Sequence, residues 1–199
     1  MSPARVYLTG FMGCGKSTVG PILANVIGYR FRDLDAWLAA EAGQPVAALF
    51  AAEGEAAFRA REAAALRETG RETSLVVATG GGALARDPSM AWALERGTVA
   101  YLRMPHEALV ARLLRVRETR PMLLDADGAR LGEADLDARV TALFATREPF
   151  YTRAHVTVDV GARGVGGSVD ELARALRRLW RGAGRAGRGG AGAPASDVR

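Results

Sequence analysis

The most constraining feature of this chain is a glycine-rich loop, which reads GFMGCGKS from Gly10 to Ser17 and matches G-x-x-x-x-G-K-[ST] in full. An apolar strand pattern at Val6–Leu8 precedes the loop, and a helical pattern begins near Lys16. Such a loop points several backbone N–H groups at phosphate oxygens, and the helix adds the positive end of its dipole. We therefore expect Lys16 to neutralise the β- and γ-phosphates of a nucleotide and Ser17 to offer a hydroxyl to Mg²⁺.

The composition fits a protein with a single hydrophobic core rather than a membrane protein or a disulfide-rich protein. The chain has 199 residues, of which 49% are hydrophobic, and this is enough for a single domain. No apolar run approaches the roughly 18 residues of a membrane span, and the first strand begins too close to Met1 for a signal peptide. One cysteine and two histidines argue against a disulfide framework or a cysteine-rich metal site. We expect a cytoplasmic monomer without a membrane partner.

The formal net charge of +5 is unevenly distributed. The segment Arg181–Arg199 contains four Arg and one Asp, or +3 of that total, which leaves about +2 for the body. The body is too close to neutral to predict nucleic-acid binding. The Gly/Arg-rich segment 181–199 has few residues that can build a core, so we expect a disordered tail. Only one of the 27 basic residues is lysine, and it is Lys16 in the loop.

Strand patterns alternate with helical patterns five times along the chain, which predicts an α/β fold with a five-stranded parallel sheet and helices on both faces. The predicted strands are Val6–Thr9, Tyr29–Arg32, Leu75–Thr79, Thr98–Arg103 and His155–Val160. The predicted helices are Lys16–Ile27, Ala36–Ala42, Val46–Thr69 with a break near Gly54, a helix from Asp87 that closes at Gly97, Pro105–Arg117, Ala134–Arg147 and Ser168–Trp180. Residues 1–180 would form one domain, with an irregular, lid-like segment at about 119–133.

Two carboxylates, Asp33 and Asp35, follow the second predicted strand. Ligands of open α/β sheets lie beyond the carboxyl ends of the strands, and residues two apart leave a strand in the same direction. One carboxylate can then hold a metal-bound water while the other orients or deprotonates an attacking hydroxyl. The alternative is a structural role, because Asp35 precedes the helix Ala36–Ala42 and suits its N-cap.

Two further features are weak indications of ligand binding when each is taken alone. A triple glycine, Gly80-Gly81-Gly82, follows the third strand and permits a ligand to lie against bare backbone, although an ordinary turn has the same sequence. Arg59, Arg120 and Arg147 suit anionic ligands, but most of the 26 arginines must be solvated.

Taken together, these motifs resemble the shikimate kinase family over about residues 5–180. The most specific part is Arg59-Ala-Arg-Glu62, followed by Val76-Val77-Ala78-Thr79-Gly80-Gly81-Gly82-Ala83-Leu84. The resemblance implies the P-loop kinase fold with a mobile lid. It also implies transfer of the ATP γ-phosphoryl group to the 3-hydroxyl of shikimate in aromatic amino-acid biosynthesis.

The resemblance implies roles on the acceptor side. Asp35 would activate the 3-hydroxyl, and Asp33 would hold Mg²⁺ through water. Arg59 and Arg147 would grip the shikimate carboxylate, which suits a planar guanidinium, and Glu62 would orient Arg59. The acceptor would also contact the backbone of Gly81 and Gly82, between walls formed by two aromatic residues, Phe50 and Phe58.

On the donor side the resemblance implies an ATP site built from the loop, the lid and a distal arginine. The implied ATP-binding residues are Gly13, Cys14, Gly15, Lys16, Ser17, Thr18, Arg120 and Arg163. Lys16 and Arg120 would stabilise charge on the transferring group, with Arg120 arriving on the lid. Arg112 and Arg115 are alternatives to Arg163 near the adenine. Two departures from the family stand out, namely Met122 where Leu is usual and a long segment at 125–137.

Other functions are compatible with parts of the sequence. One is a different small-molecule kinase that phosphorylates gluconate or a nucleoside monophosphate, although the pairing of Arg59–Glu62 with the triple glycine argues against it. The other is a nucleotide-binding regulator or RNA-associated protein that works through Arg181–Arg199. Cys14 has a structural interpretation, as a small residue in the loop, and a reactive one, as a thiol beside Lys16 at a helix N-terminus.

Overall fold

The structure is a computed structural model that describes residues 4–115, 123–125 and 129–186. Its strands are β1 (Arg5–Thr9), β2 (Arg30–Asp33), β3 (Leu75–Ala78), β4 (Thr98–Arg103) and β5 (Val156–Asp159). Its α-helices are α1 (Lys16–Ile27), α2 (Leu34–Ala42), α3 (Val46–Glu68), α4 (Asp87–Arg96), α5 (His106–Arg115), α6 (Glu133–Tyr151) and α7 (Gly164–Ala186), with a 3-10 turn at Thr69–Arg71.

The five strands form one parallel sheet in the order β2-β3-β1-β4-β5, which confirms the predicted fold class. Successive side chains of β1 enter different cores, because side chains alternate across a strand. Val6 and Leu8 join a core with α1 and α7, whereas Tyr7 joins another core with α2, α3 and α4. Apolar residues on both faces, all fully buried in β3, explain why these strands read as continuous hydrophobic runs.

Three helices extend further than the sequence predicts. Helix α2 begins at Leu34 instead of Ala36, directly after Asp33. Helix α6 continues beyond Arg147 and through Pro149 to Tyr151. A proline this close to the helix end removes one N–H donor, and the last turn is held by the fully buried side chain of Tyr151 and by Thr152, whose N–H donates to the carbonyl of Glu148.

Helix α7 begins at Gly164 instead of Ser168 and continues to Ala186 instead of Trp180. The ring of Trp180 stacks on Tyr29, and its Nε1 donates to Thr98 Oγ1 at 3.1 Å, which ties the distal part of the helix to β4. The disordered tail remains a prediction for residues 187–199, which lie outside the described residues. Arg120 and most of the predicted lid also lie outside the described residues, and their roles remain predictions.

No helix within the described ranges combines the length and the apolar character needed to cross a membrane.

At Gly20 in α1, packing and helix propensity predict opposite effects of an alanine substitution on the free energy of unfolding. A Cβ at Gly20 would overlap the ring of Phe31. Although alanine favours a helix by about 1 kcal/mol over glycine, overpacking costs about 1–3 kcal/mol. We expect Gly20→Ala to lower the free energy of unfolding in urea. Gly166→Ala in α7, where a Cβ meets nothing within 4 Å, is the control and should leave stability unchanged or raise it. A stabilised Gly20→Ala protein would contradict this packing.

Candidate active site

The glycine-rich loop joins β1 to α1 and has the backbone that phosphate binding requires. Gly13 and Gly15 have φ values of 81° and 104°, a left-handed region that side chains disfavour. Gly15 is the N-cap of α1, and Ser17 and Thr18 in the first turn are exposed. The loop therefore presents a helix N-terminus and two accessible hydroxyl groups at the carboxyl edge of the sheet.

The Lys16 ammonium is buried beneath this loop. Nζ donates to the carbonyl oxygens of Gly10 at 2.8 Å and Phe11 at 3.0 Å, and it lies 3.7 Å from the Cys14 sulfur. Cys14 is itself only 2% exposed, which favours the interpretation of its side chain as a filler of the loop. An anionic oxygen at the loop would be a stronger acceptor for Lys16 than these neutral carbonyls.

A cleft of about 550 Å³ lies on one side of the loop. Cys14, Gly15 and Thr18 line it from the loop and from α1, together with residues from the ends of β4 and β5 and from the start of α7. The residues of the loop that line this cleft are among those predicted to bind ATP. Its remaining lining residues are Val19, Met104, Arg112, Val160, Gly161, Gly164, Val165 and Ser168.

Among the described residues, the arginine that lines this cleft is Arg112 and not Arg163. Arg112 in α5 lines the cleft, and one of its guanidinium nitrogens lies 3.7 Å from the position of a Cβ on Gly15. Arg163 is outside the lining, is 68% exposed and forms an ion pair with Glu171 at 3.0 Å. The turn before α7 directs its side chain along the helix surface, so Arg112 is the better placed of the predicted candidates.

A second cleft of about 550 Å³ lies on the other side of the loop. It brings together the residues predicted for the acceptor, although they come from four separate parts of the chain. Its lining residues are Met12, Asp35, Val46, Phe50, Phe58, Arg59, Glu62, Gly80, Gly81, Gly82 and Arg147.

The floor of this cleft contains an ion pair on α3. Arg59 Nη1 donates to Glu62 Oε2 at 2.9 Å, and the two side chains are 11% and 3% exposed. Burial raises the pKa of Glu62, while the neighbouring Arg59 lowers it and Asp35 raises it further. The Arg59 guanidinium also lies 5.6 Å from the ring centre of Phe58. Pairing and packing together fix the direction in which this guanidinium faces the cleft.

The triple glycine leaves room for these charged groups. A Cβ on Gly82 would lie 2.7–2.8 Å from the Arg59 guanidinium, and one on Gly80 would overlap the carboxylates of Glu62 and Asp35. A Cβ on Gly81 would be 3.2 Å from the backbone nitrogen of Met12 in the loop. Side chains at these three positions would displace the charged groups or press on the loop backbone, so glycine preserves this arrangement of the cleft.

Arg147 enters the cleft from α6. It is 7% exposed, and its guanidinium carbon lies 5.6 Å from the ring centre of Phe11. One guanidinium nitrogen is 3.6 Å from the position of a Cβ on Gly81. Arg59 and Arg147 therefore approach the triple glycine from two different helices.

Asp33 and Asp35 have different environments. The residue that caps α2 is Asp33 and not Asp35, because Asp33 Oδ1 accepts N–H bonds from Asp35 at 3.0 Å and from Ala36 at 3.2 Å. Asp35 lies in the first turn of α2 and lines the acceptor cleft. The cap uses one carboxylate oxygen of Asp33 and leaves its other oxygen for a second role.

The side-chain oxygens near the loop suit Mg²⁺. Across the described residues, no group of three or more His, Cys, Asp and Glu side chains is arranged to hold a metal ion. Mg²⁺ in nucleotide sites is bound by one or two protein oxygens, with phosphates and water completing the shell. The Ser17 hydroxyl and the Asp33 carboxylate are oxygen donors of this kind.

The sequence assigns no role to Tyr151, although the structure connects it to this site. Its hydroxyl donates to the carbonyl of Gly81, which places a side chain of α6 directly behind the acceptor cleft. It lies four residues after Arg147 and so shares its helix face. The sequence pattern predicts that the helix ends at Arg147, and only a helix that continues to Tyr151 brings the two side chains onto one face.

Comparisons with known proteins place these features in one family. The model of the family described as shikimate kinase matches residues 12–177. A shikimate kinase from Salinibacter ruber is 48% identical over 157 residues, covering 79% of this chain and 77% of that protein. A second relative, the shikimate kinase from Chlorobium luteolum, is 42% identical over 176 residues, covering 88% of this chain and 87% of that protein.

A solved structure agrees with the sequence comparisons. It is the shikimate kinase from Acinetobacter baumannii in complex with shikimate, which is 32% identical to this chain and has a TM-score of 0.76. The match covers 90% of this chain and 94% of that one.

The buried carboxylate of Glu62 predicts a pH effect on stability. Because its pKa is raised above the ordinary value of 4.5 in the folded protein, the native state holds more protons than the unfolded state in the window above pH 4.5, and stability falls as pH rises through that window. Glu62→Gln removes this dependence of stability on pH, because glutamine does not titrate. In urea unfolding at a series of pH values without ligands, the stability of the variant relative to the parent should rise between pH 4 and the raised pKa. A constant difference would mean that Arg59 fully compensates the burial.

Proposed function

This chain belongs to the shikimate kinase family, and on that basis we propose that it transfers the γ-phosphoryl group of ATP to the 3-hydroxyl of shikimate. The observation that carries the proposal is the position of the loop between the two clefts. Gly15 and Thr18 line the donor cleft, while Met12 lines the acceptor cleft. A phosphoryl group held by the loop therefore faces an acceptor in the second cleft.

The acceptor cleft suits a small hydroxylated carboxylate. Arg59 and Arg147 supply planar guanidinium groups for the carboxylate, and the backbone of Gly81 and Gly82 supplies polar contacts for the ring. The opposite wall is apolar, because the rings of Phe50 and Phe58 pack 5.6 Å apart. This combination of two cations with an aromatic wall favours shikimate over a nucleotide as the acceptor.

Asp35 is the residue we assign to proton transfer. It lies in the acceptor cleft, where a carboxylate can orient the 3-hydroxyl and accept its proton as the new bond to phosphorus forms. Lys16 at the loop neutralises charge on the β- and γ-phosphates of ATP. Phosphoryl transfer needs little further chemistry from the protein, since positioning and electrostatic stabilisation supply most of the acceleration.

Ser17 and Asp33 are the residues we assign to Mg²⁺, with Asp33 acting through water. The ion supplies charge neutralisation at the phosphates when bound. Thr18 in the first turn of α1 and Arg112 at the donor cleft are placed to contact the nucleotide. Arg120, outside the described residues, remains the proposed lid residue that stabilises charge on the transferring group. The monomeric state and the cytoplasmic location also remain predictions.

A coupled assay of ADP release tests the proposal directly. We expect release with ATP and Mg²⁺ to depend on shikimate, and not on gluconate or AMP, because only shikimate combines the ring hydroxyl groups and the carboxylate that the cleft can hold. Equal release with gluconate or AMP would indicate another kinase of the same fold. Release with no acceptor would indicate a nucleotide hydrolase.

Asp35→Asn tests the assigned proton acceptor. An amide keeps the shape of the side chain but cannot accept the proton, so kcat should fall by about 100-fold to 10,000-fold. The KM for ATP should stay within about twofold, since Asp35 lies outside the donor cleft. Asp170→Asn, an exposed position on α7, is the matched control and should leave both constants unchanged. An unchanged kcat for Asp35→Asn would remove Asp35 from the mechanism.

A further inference from the structure

Tyr151 links two parts of the acceptor cleft from behind. Its side chain is fully buried in the last turn of α6, and its hydroxyl donates to the carbonyl oxygen of Gly81. Arg147 lies one helical turn earlier on the same face, so one stretch of α6 reaches both the cleft itself and the backbone that forms its edge.

The bond to Gly81 also sets the direction of a neighbouring N–H group. The carbonyl of Gly81 and the N–H of Gly82 belong to the same peptide unit, which is planar and trans, so the two groups point in opposite directions. Holding the carbonyl toward Tyr151 presents the Gly82 N–H on the other side of the peptide. Within the described ranges this N–H has no protein acceptor, and Gly82 lines the cleft. A bonded carbonyl also polarises its own peptide, which strengthens that N–H as a donor.

Three consecutive glycines have little intrinsic preference for one backbone conformation. Side-chain packing cannot hold this peptide, because Gly81 and Gly82 carry no side chain. A turn encloses this peptide, because the N–H of Ala83 donates to the carbonyl of Gly80 at 3.1 Å, and the hydroxyl of Tyr151 is the side-chain restraint on its central carbonyl.

Tyr151 is suited to remain a donor. Burial raises the pKa of its hydroxyl well above the ordinary value, and the positive charge of Arg147 opposes that shift only in part. The hydroxyl stays protonated at neutral pH, so its bond to the Gly81 carbonyl does not depend on pH in that range.

We propose that Tyr151 is a positioning residue for the acceptor, acting through the Gly81–Gly82 peptide and through Arg147. The proposal rests on the proposed function, because the acceptor whose binding it improves is shikimate. Tyr151 contacts the walls of the cleft and not the reacting atoms, so its removal should affect shikimate binding more than the phosphoryl transfer itself.

Tyr151→Phe is the direct test, and Tyr101→Phe is a closely matched control. Tyr101 on β4 is equally buried, and its ring centre lies 5.3 Å from that of Tyr151. Its hydroxyl has no hydrogen-bond partner in the described part of the protein. The two variants therefore each remove one buried hydroxyl from the same ring pair, but only one of them breaks a bond to the triple glycine.

Steady-state kinetics on the full chain should separate the two variants. We expect the KM for shikimate to rise about tenfold in Tyr151→Phe, the loss of one hydrogen bond, with the KM for ATP unchanged and kcat within about threefold. Tyr101→Phe should match the parent in all three constants. Equal KM values for shikimate in the parent and Tyr151→Phe would overturn the proposal, as would a parallel rise in both KM values, which a merely structural role predicts.

Site-specific 3-fluorotyrosine at position 151 gives a second measurement that retains the hydroxyl and keeps the test decisive if Tyr151→Phe does not fold. Its more acidic hydroxyl is a stronger donor, so the KM for shikimate should fall below the parent value, while an equal or raised KM would contradict the proposal. Parent activity with shikimate is measured first. A parent protein without activity on shikimate would overturn the proposed function. An active parent together with an unchanged KM for shikimate in Tyr151→Phe would overturn only the role of Tyr151.

Discussion

The ion pair between Arg59 and Glu62 is the interaction on which the acceptor site depends. Both side chains are nearly excluded from solvent, and a buried charge is tolerated only when it is paired and hydrogen-bonded. The pair needs space above it, and the triple glycine provides that space because Gly80 and Gly82 have no side chains to occupy it. Arg147 adds a further positive charge from α6. The cleft is in this way prepared for an anionic ligand, and the aromatic rings beside it restrict where that ligand can lie.

The donor side depends on backbone rather than on side-chain pairing. Gly13 and Gly15 adopt conformations that other residues disfavour, and α1 begins directly after them. Lys16 is already directed into the loop by the carbonyls of Gly10 and Phe11. A phosphate oxygen at the loop would replace these neutral carbonyls as the acceptor, so the cation is held close to the position in which phosphoryl transfer uses it.

The parts of the fold that follow from hydrophobic periodicity and from the positions of glycine and proline were predictable from the sequence. The order of strands and helices, the loop and the residues gathered in the acceptor cleft all follow from local patterns or from family motifs. Two details of the helices did not, and each has a physical reason. Asp33 rather than Asp35 caps α2, because the helix begins at Leu34, two residues earlier than predicted. Helix α6 continues to Tyr151 instead of ending at Arg147, because burial of the Tyr151 side chain overrides the tendency of Pro149 to end a helix.

The order of strands divides the chemistry of the molecule in a way that bears on its diversification. Apart from Arg147 of α6, the acceptor cleft draws on residues that follow β2 and β3 and on Met12 of the loop. The donor cleft draws on the loop, on α1 and on residues that follow β4 and β5, and β1 with its loop lies between the two clefts. Mutations on the β2–β3 flank can therefore change which hydroxyl compound is recognised while the nucleotide half is inherited intact. A sheet arranged in this way can give rise to new acceptor specificities by changing one flank at a time, with the central loop as the part that every descendant must keep.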